Sequence, residues 1–330
     1  MFKEVTKEVT KKVTIAIPSK EYDKNLNNCI YKIRKCYKKV EIFLLLDKKT
    51  NNILDKKIKI FFFNNKNIGY KRNFAAKKSN KEFICFIDSD AFPKKNWLEN
   101  YLKTIKLKKD LTVVGGPNMS PISNNLEKKI VSKVRKLPFV TLNSFVKSKT
   151  KSCYTDFLPA CNLFVNKKEY LRLGGMDEKV VAGEEIKFFY NLNKFKKNIY
   201  FIDSASVFHK DRNFKNFLSQ RMTYGTEANL LLLYPCKQTL LFAFSVLPFL
   251  NLICLFIFLL FQELYLFKLN LYLFLIIFFL CILFTFKIYN KSYFIKNFIC
   301  ILISIYGPGL GFFLQFFISS KAQKNNYKQE

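Results

Sequence analysis

The chain has 330 residues, 56 Lys and Arg against 24 Asp and Glu, and a formal net charge of +32; half of its residues are hydrophobic, and 38 are Phe. That length allows one sizeable globular domain plus something more, and the apolar mass, concentrated at the C-terminal end, excludes a purely soluble chain. The charge does not mark a nucleic-acid binder, because the lysines are spread along the polar part with no basic stripe of interleaved stacking aromatics; it fits a basic surface beside an anionic membrane leaflet and anionic substrates.

A polar tetrapeptide repeats three times from Lys3 to Thr14, the start lacks the apolar core of a secretory signal, and residues 1–12 are expected to be a tail. Val13 to Ile17 reads as a strand stopped by Pro18, Tyr22 to Tyr37 as a helix, Val40 to Leu46 as a strand ended by Asp47, and Ile58 to Phe63 as a third strand. Ile68 to Ser79 reads as a helix and Phe83 to Ile87 as a buried strand. Strands alternating with helices predict an α/β class, with βαβ units and a mainly parallel sheet. A helix follows Pro93 with Trp97, Leu98, Tyr101, Leu102 and Ile105 on one stripe. Leu111 to Val114 is a strand running into Gly115-Gly116-Pro117, and residues 119–152, polar and Lys-rich, read as a mobile loop over a site. Phe157 to Val165 is an apolar run before a short helix, Gly174 to Glu178 a turn, Glu184-Glu185 the opening of an amphipathic helix through Asn193, and Ile199 to Val207 a strand leading to His209.

The last third changes character. Leu240 to Phe261, Leu269 to Phe286 and Phe298 to Ile318 are uncharged runs near the length that crosses a bilayer, the last interrupted by Gly307-Pro308-Gly309. A catalytic domain over 13–230 and a membrane domain over 231–330 are therefore expected, with the Lys-rich N-terminal domain cytoplasmic and Lys287, Lys291 and Lys296 on the same side. Three full crossings would put Lys321, Lys324 and Lys328 outside; a re-entrant last segment would return them, so two or three crossings both stand. Nine Cys without a C-x-x-C pair, and a single His, exclude zinc-finger spacing, and the odd, unpatterned cysteine count fits a reducing compartment.

The chemistry centres on Asp88-Ser89-Asp90 at the end of the strand Phe83 to Ile87. Side chains two apart on an extended chain point to the same side. The carboxyl edge of an open α/β sheet is where ligands sit, and paired carboxylates there suit a hard divalent cation, Mg2+ or Mn2+.

Five elements in order then carry a resemblance: V-T-I-A-I-P in the first strand; Asp47 closing the second; N-x-G-x-x-x-N (Asn67 to Asn73) before D-S-D; G-G-x-D-E (Gly174 to Glu178); and Glu184-Glu185 followed by His209 and Q-R-x-x-Y-G (Gln220 to Gly225). Over residues 13–230 the chain resembles the family 2 glycosyltransferases of GT-A fold, a Rossmann-like domain that here precedes α-helical membrane segments. The resemblance implies a nucleotide-sugar donor, with Asp47 on the uracil or ribose, Asp88 on the nucleotide, Arg72 and Asn73 near the donor, and Asp177 lining the sugar pocket. It gives the metal to Asp90, with His209 as a metal or phosphate ligand, and the departing diphosphate to Arg221. It makes Glu185 the general base of an inverting transfer to a hydroxyl, with Glu184 as the alternative. Lys48 and Lys49 stand where the family has a second Asp and a Gly-Ser, which leaves the nucleotide open, and the absence of Trp near Tyr224 leaves polymerisation unimplied. The acceptor expected is a lipid-linked or membrane-proximal glycan; a polyprenyl-phosphate sugar transferase and a catalytically inactive scaffold are the alternatives.

Overall fold

A computed structural model describes residues 8–50, 55, 57–137, 140, 151–288 and 293–326, with side chains described as far as residue 317. Two compact units emerge, Met1–Pro121 with Asn143–Lys210, and Ile122–Leu142 with Asp211–Glu330. Segment 122–142 and the residues from Asp211 group with the apolar helices in the second unit.

The first unit is built on strands β1 (Val13–Pro18), β2 (Glu41–Leu46), β3 (Ile58–Phe62), β4 (Phe83–Ile87), β5 (Ala91–Pro93), β6 (Leu111–Gly115), β7 (Asn118–Met119), β8 (Cys153–Tyr154), β9 (Asn162–Asn166), β10 (Asn198–Phe201) and β11 (Val207–His209). Eight form one sheet in the order β3-β2-β1-β4-β9-β6-β10-β8, and β5-β11-β7 form a second. In the large sheet β1 pairs parallel with β2 and β4, β2 with β3, and β10 with β6, while β9 and β8 run antiparallel to their neighbours. The expected α/β, mainly parallel sheet followed by long apolar helices is what the chain forms.

The continuous apolar runs of β1, β4 and β6 are fully buried, as strands covered by helices on both faces must be. Alternation divides them between two cores. Val13, Ile15, Ile17, Cys85 and Ile87 face Leu26, Ile30, Trp97 and Tyr101, carried by helices Lys24–Cys36 and Trp97–Leu107. Ala16, Ile84 and Phe86 face Ala75, Tyr170, Phe188 and Phe189, carried by helices Ile68–Lys78, Lys167–Arg172 and Glu185–Lys194. The order β3-β2-β1-β4 reverses direction at β1, so a crevice opens at the carboxyl ends of β1 and β4.

Several expectations need correction. Residues 8–12 are helical, not a tail, and Val9 is buried in the core; residues 1–7 lie outside the described residues. The run Ile199 to Val207 is not one strand: a turn at 202–206 sends β10 to the large sheet and β11 to the small one. The apolar run from Phe157 becomes strand only at Asn162, because that is where pairing with β4 begins, Ile87 opposite Asn162. Segment 119–152 holds the helix Leu126–Val134; positions 138, 139 and 141–150 of the expected mobile loop lie outside the described residues.

In the second unit, Lys237–Leu260, Leu264–Lys287 and Phe294–Phe317 are long and apolar enough to cross a membrane. The first two bury only 11% of their apolar windows inside the protein, a surface that hydrocarbon tolerates and water does not. The first is two helices, Lys237–Phe244 and Leu247–Leu260, and the second begins at Leu264, earlier than expected. The Gly-Pro-Gly sequence does not fold back: Phe294–Asn326 is one helix with Pro308 inside it. Pro308 lacks the N–H that would reach the carbonyl of Ser304, and the Arg221 guanidinium supplies the missing donors, Nε at 3.3 Å and Nη2 at 3.1 Å from that oxygen. Helix Phe214–Thr226 lies close enough that a Cβ on Gly225 would sit 1.8 Å from the Pro308 carbonyl oxygen. Lys291 and Lys328 lie outside the described residues.

Candidate active site

The acidic residues singled out by sequence converge at the carboxyl edge of the large sheet. Asp47 follows β2, and its Oδ2 accepts from Lys71 Nζ at 2.7 Å. The same ammonium donates to the Ser19 carbonyl just beyond β1, at 2.9 Å. Asp47 Oδ1 is buried with no hydrogen-bond partner among the described residues, an acceptor left for an N–H or O–H from a ligand or an ordered water.

Arg72, only 2% exposed, joins the two halves of the site. Nη2 donates to Asp88 Oδ1 at 2.6 Å and Nη1 donates to Glu184 Oε1, and the guanidinium lies over the Phe86 ring. Burial alone would lower its pKa; Glu184 and then Asp88 more than offset that and hold it above the ordinary arginine value. Sequence placed Arg72 near the donor. Here it faces protein carboxylates, so its part is to hold Asp88 and Glu184 in fixed relation.

Asn73 departs further from expectation. Nδ2 donates to the Met176 carbonyl and to Glu178 Oε1, and Oδ1 accepts from Met176 N–H and the Tyr170 hydroxyl. Every hydrogen-bonding valence of the amide is used, so it ties its helix to the Gly174–Glu178 turn and has none left for a donor. Gly69, one helical turn before Asn73, faces the same way: a Cβ there would lie 2.0 Å from the Asp177 carbonyl. Gly175, at φ +60°, would place a Cβ 2.4 Å from Asn73 Oδ1. The two motifs recognised separately, N-x-G-x-x-x-N and G-G-x-D-E, are the two sides of one joint. Asp177 is buried beside it, with Oδ1 accepting from Lys179 N–H at 2.8 Å and its own N–H donating to the Glu184 carbonyl at 2.8 Å.

Glu184 and Glu185 open the helix that ends at Lys194. With Glu184 tied to Arg72, half-buried Glu185 has the carboxyl that differs in chemistry. Burial first, then the charge of Glu184, push its pKa up to about 8, with Arg72 pulling the other way.

His209 reaches the aspartates through the small sheet: β11 pairs antiparallel with β5, setting His209 opposite Ala91, the residue after Asp90. Nε2 lies 3.4 Å from Asp88 Oδ2 and 3.3 Å from Asp90 Oδ1. Nδ1 lies 3.2 Å from the Lys210 carbonyl, which can only accept, so Nδ1 carries a hydrogen. Nε2 then faces two carboxylates, an arrangement that calls for positive charge between them, a second ring proton or a metal ion. Asp88, His209 and Cys161 each bring a ligand atom within 4.8 Å of the others. Cys161 was missed by sequence reasoning: it stands just before β9, and extending the β4–β9 register by one residue beyond Ile87–Asn162 sets it beside Asp88. No linear spacing signals a ligand set drawn from three strand ends.

Arg221 belongs to the second unit. It lies buried there, donating to the carbonyls of Ser304 and Val140 at 3.0–3.3 Å. With no anionic partner among the described residues, it has its pKa lowered to about 10 by burial.

Residues 14–166 match the family described as Glycosyl transferase family 2. No curated protein matches the sequence. Among solved structures, the mannosyltransferase PcManGT from Pyrobaculum calidifontis, in complex with GDP-Man and Mn2+, is similar at 12% identity and a TM-score of 0.48, over 65% of this chain and 61% of that one. GalNAc-T7 with UDP, GalNAc and Mn2+ is similar at 14% identity and a TM-score of 0.45, over 61% of this chain and 43% of that one. The chain thus spans less than two thirds of either structure.

Proposed function

We propose, from the match of residues 14–166 to the Glycosyl transferase family 2 model together with the geometry of the site, that the chain transfers a sugar, with inversion, from a nucleotide-sugar to the hydroxyl of a lipid-linked or membrane-proximal glycan. The observation that carries the reading is buried Arg72 joining Asp88, at the cation side, to Glu184, the neighbour of Glu185, whose carboxyl is poised near neutrality. Donor and base sides are thereby locked at one sheet edge, the pre-organisation that group transfer needs.

In this reading Asp47, with its unmatched buried oxygen, takes a polar group of the nucleoside, and Asp177 lines the sugar side of the cleft. Asp90 and His209, with Asp88 beside them, hold a divalent cation, Mg2+ or Mn2+. The donor set fits: two carboxylates and an imidazole whose Nδ1–H is already engaged, leaving Nε2 to ligate. Bound there, such a cation neutralises the diphosphate leaving group. Glu185 takes the proton of the acceptor hydroxyl as it attacks the anomeric carbon. A pKa of about 8 lies near the working pH, where a general base is most effective. The proton leaves the acceptor oxygen for a Glu185 oxygen as the new C–O bond forms and the bond to the diphosphate breaks.

The apolar helices would keep the domain at a membrane, on the cytoplasmic side by the positive-inside rule, with three crossings in view of the unbroken last helix. The test is transfer by the full-length protein from a panel of nucleotide-sugars with Mn2+ or Mg2+, read with Asp90→Ala and Glu185→Gln. Loss of turnover in Glu185→Gln with donor binding kept supports a hydroxyl acceptor. Unchanged turnover in both variants refutes the reading.

A further inference from the structure

We propose that Cys161 makes this centre a trap for thiophilic divalent cations, so that Zn2+ and its congener Cd2+ are captured by Asp88, Cys161 and His209 and block the reaction; the inhibition, though not the capture, rests on the glycosyl-transfer reading. The three ligand atoms lie within 4.8 Å of one another. A tetrahedral ion with Zn–S of about 2.3 Å and Zn–N or Zn–O of about 2.0–2.2 Å holds its ligands roughly 3.5 Å apart. The gap to close is about 1 Å, within the reach of small side-chain rotations at half-buried Asp88 and Cys161 around the more deeply buried His209.

The surroundings favour such an ion. His209 is oriented by its Nδ1–H on the Lys210 carbonyl, and Asp88 by Arg72 on its other oxygen, the outer partners that metal ligands ordinarily have. A thiolate is a soft donor that Mg2+ rejects and Zn2+ favours, and imidazole and carboxylate sites also bind Zn2+ more tightly than Mn2+. Capture forms one metal–sulfur bond and releases the thiol proton to solvent. It recruits Asp88 and His209 away from Asp90, and so competes with the hard cation for the same imidazole.

The test uses the full-length protein, stripped with chelator, and Cd2+ as the spectroscopic probe. The expected result is one equivalent of thiolate-to-Cd2+ ultraviolet charge transfer that is lost in Cys161→Ser and kept in Cys153→Ser, where the cysteine is exposed. A band unchanged in Cys161→Ser overturns the proposal. Should that variant misfold, the native protein still decides: Zn2+ is expected to slow iodoacetamide alkylation of Cys161, read by peptide mass spectrometry, and to leave Cys153 unaffected; equal alkylation rates at Cys161 with and without Zn2+ overturn it. Zn2+ inhibition of transfer should weaken at least roughly tenfold in Cys161→Ser, a floor set by the tenfold or greater cost of losing even an outer-shell partner. If Cd2+ capture by Cys161 is seen but no nucleotide-sugar supports transfer, the glycosyl-transfer reading fails and the site stands; if transfer occurs and the Cd2+ band is unchanged in Cys161→Ser, the reverse holds.

Discussion

Replacing Glu185 with Gln should stabilise the protein while abolishing its turnover. The carboxyl titrates at about 8 in the folded chain against an ordinary 4.5. Between those values the folded state binds more protons than the unfolded one, so unfolding free energy falls as pH rises through the window. At about 1.36 kcal/mol for each pKa unit the full penalty above pH 8 is about 5 kcal/mol. Solvent reaching this half-buried side chain reduces it to about 2–3 kcal/mol. Glutamine keeps the shape and drops the charge. Its advantage should therefore be absent below pH 4.5 and complete above pH 8, where the thermal midpoint should rise by about 4–12 °C for a domain of this size. The assay is thermal unfolding of wild type and Glu185→Gln across that pH range, beside transfer rates. Wild-type activity should climb with pH toward a limb near 8, and the variant should lose about 100-fold to 10,000-fold. Equal midpoints at pH 8.5, or a less stable variant there, would refute the account of Glu185 as a carboxyl held in an unfavourable ionic state.

Arg72→Met strips buried Glu184 and half-buried Asp88 of their shared guanidinium and should cost about 3–5 kcal/mol, with more of the loss recovered in Arg72→Met/Glu184→Gln than additivity allows; denaturant melts of the cycle check it. Asn73→Ala should loosen the Gly174–Glu178 turn and cost about 2 kcal/mol or more through unmatched buried groups, seen as faster hydrogen exchange at Met176, whose N–H loses the nearer of its two acceptors and keeps the Tyr170 hydroxyl at 3.2 Å. Gly225→Ala puts a Cβ against the Pro308 carbonyl and should cost at least about 1–3 kcal/mol, read as a lower midpoint of the second unit in detergent. Arg221→Met should be less harmful in a Pro308→Ala background, where the restored N–H can take the Ser304 carbonyl; equal losses in both backgrounds would refute that link.

Much of the sheet was legible because its strands are continuous apolar runs closed by Pro18, Asp47 and Asp88, and such runs are buried by helices whatever else the chain does. The strand starting at Val207 was not, because nothing local distinguishes pairing with β5 from continuing β10. The joint between Asn73 and the glycine turn was visible as two motifs, but their contact spans a sequence separation of 103 residues.

Sequence alone determined the α/β alternation, the acids at strand ends, and the three apolar runs, since each follows from local hydrophobic period or its interruption. Tertiary structure alone decided that Asn73 and Arg221 are spent on protein groups, that Arg72 bridges Asp88 to Glu184, that Pro308 sits within an unbroken helix, and that Cys161 joins the centre. The reason is common to all of them: a polar side chain's partner is fixed by which backbone ends the fold brings together, and that pairing is not encoded within the few residues on either side.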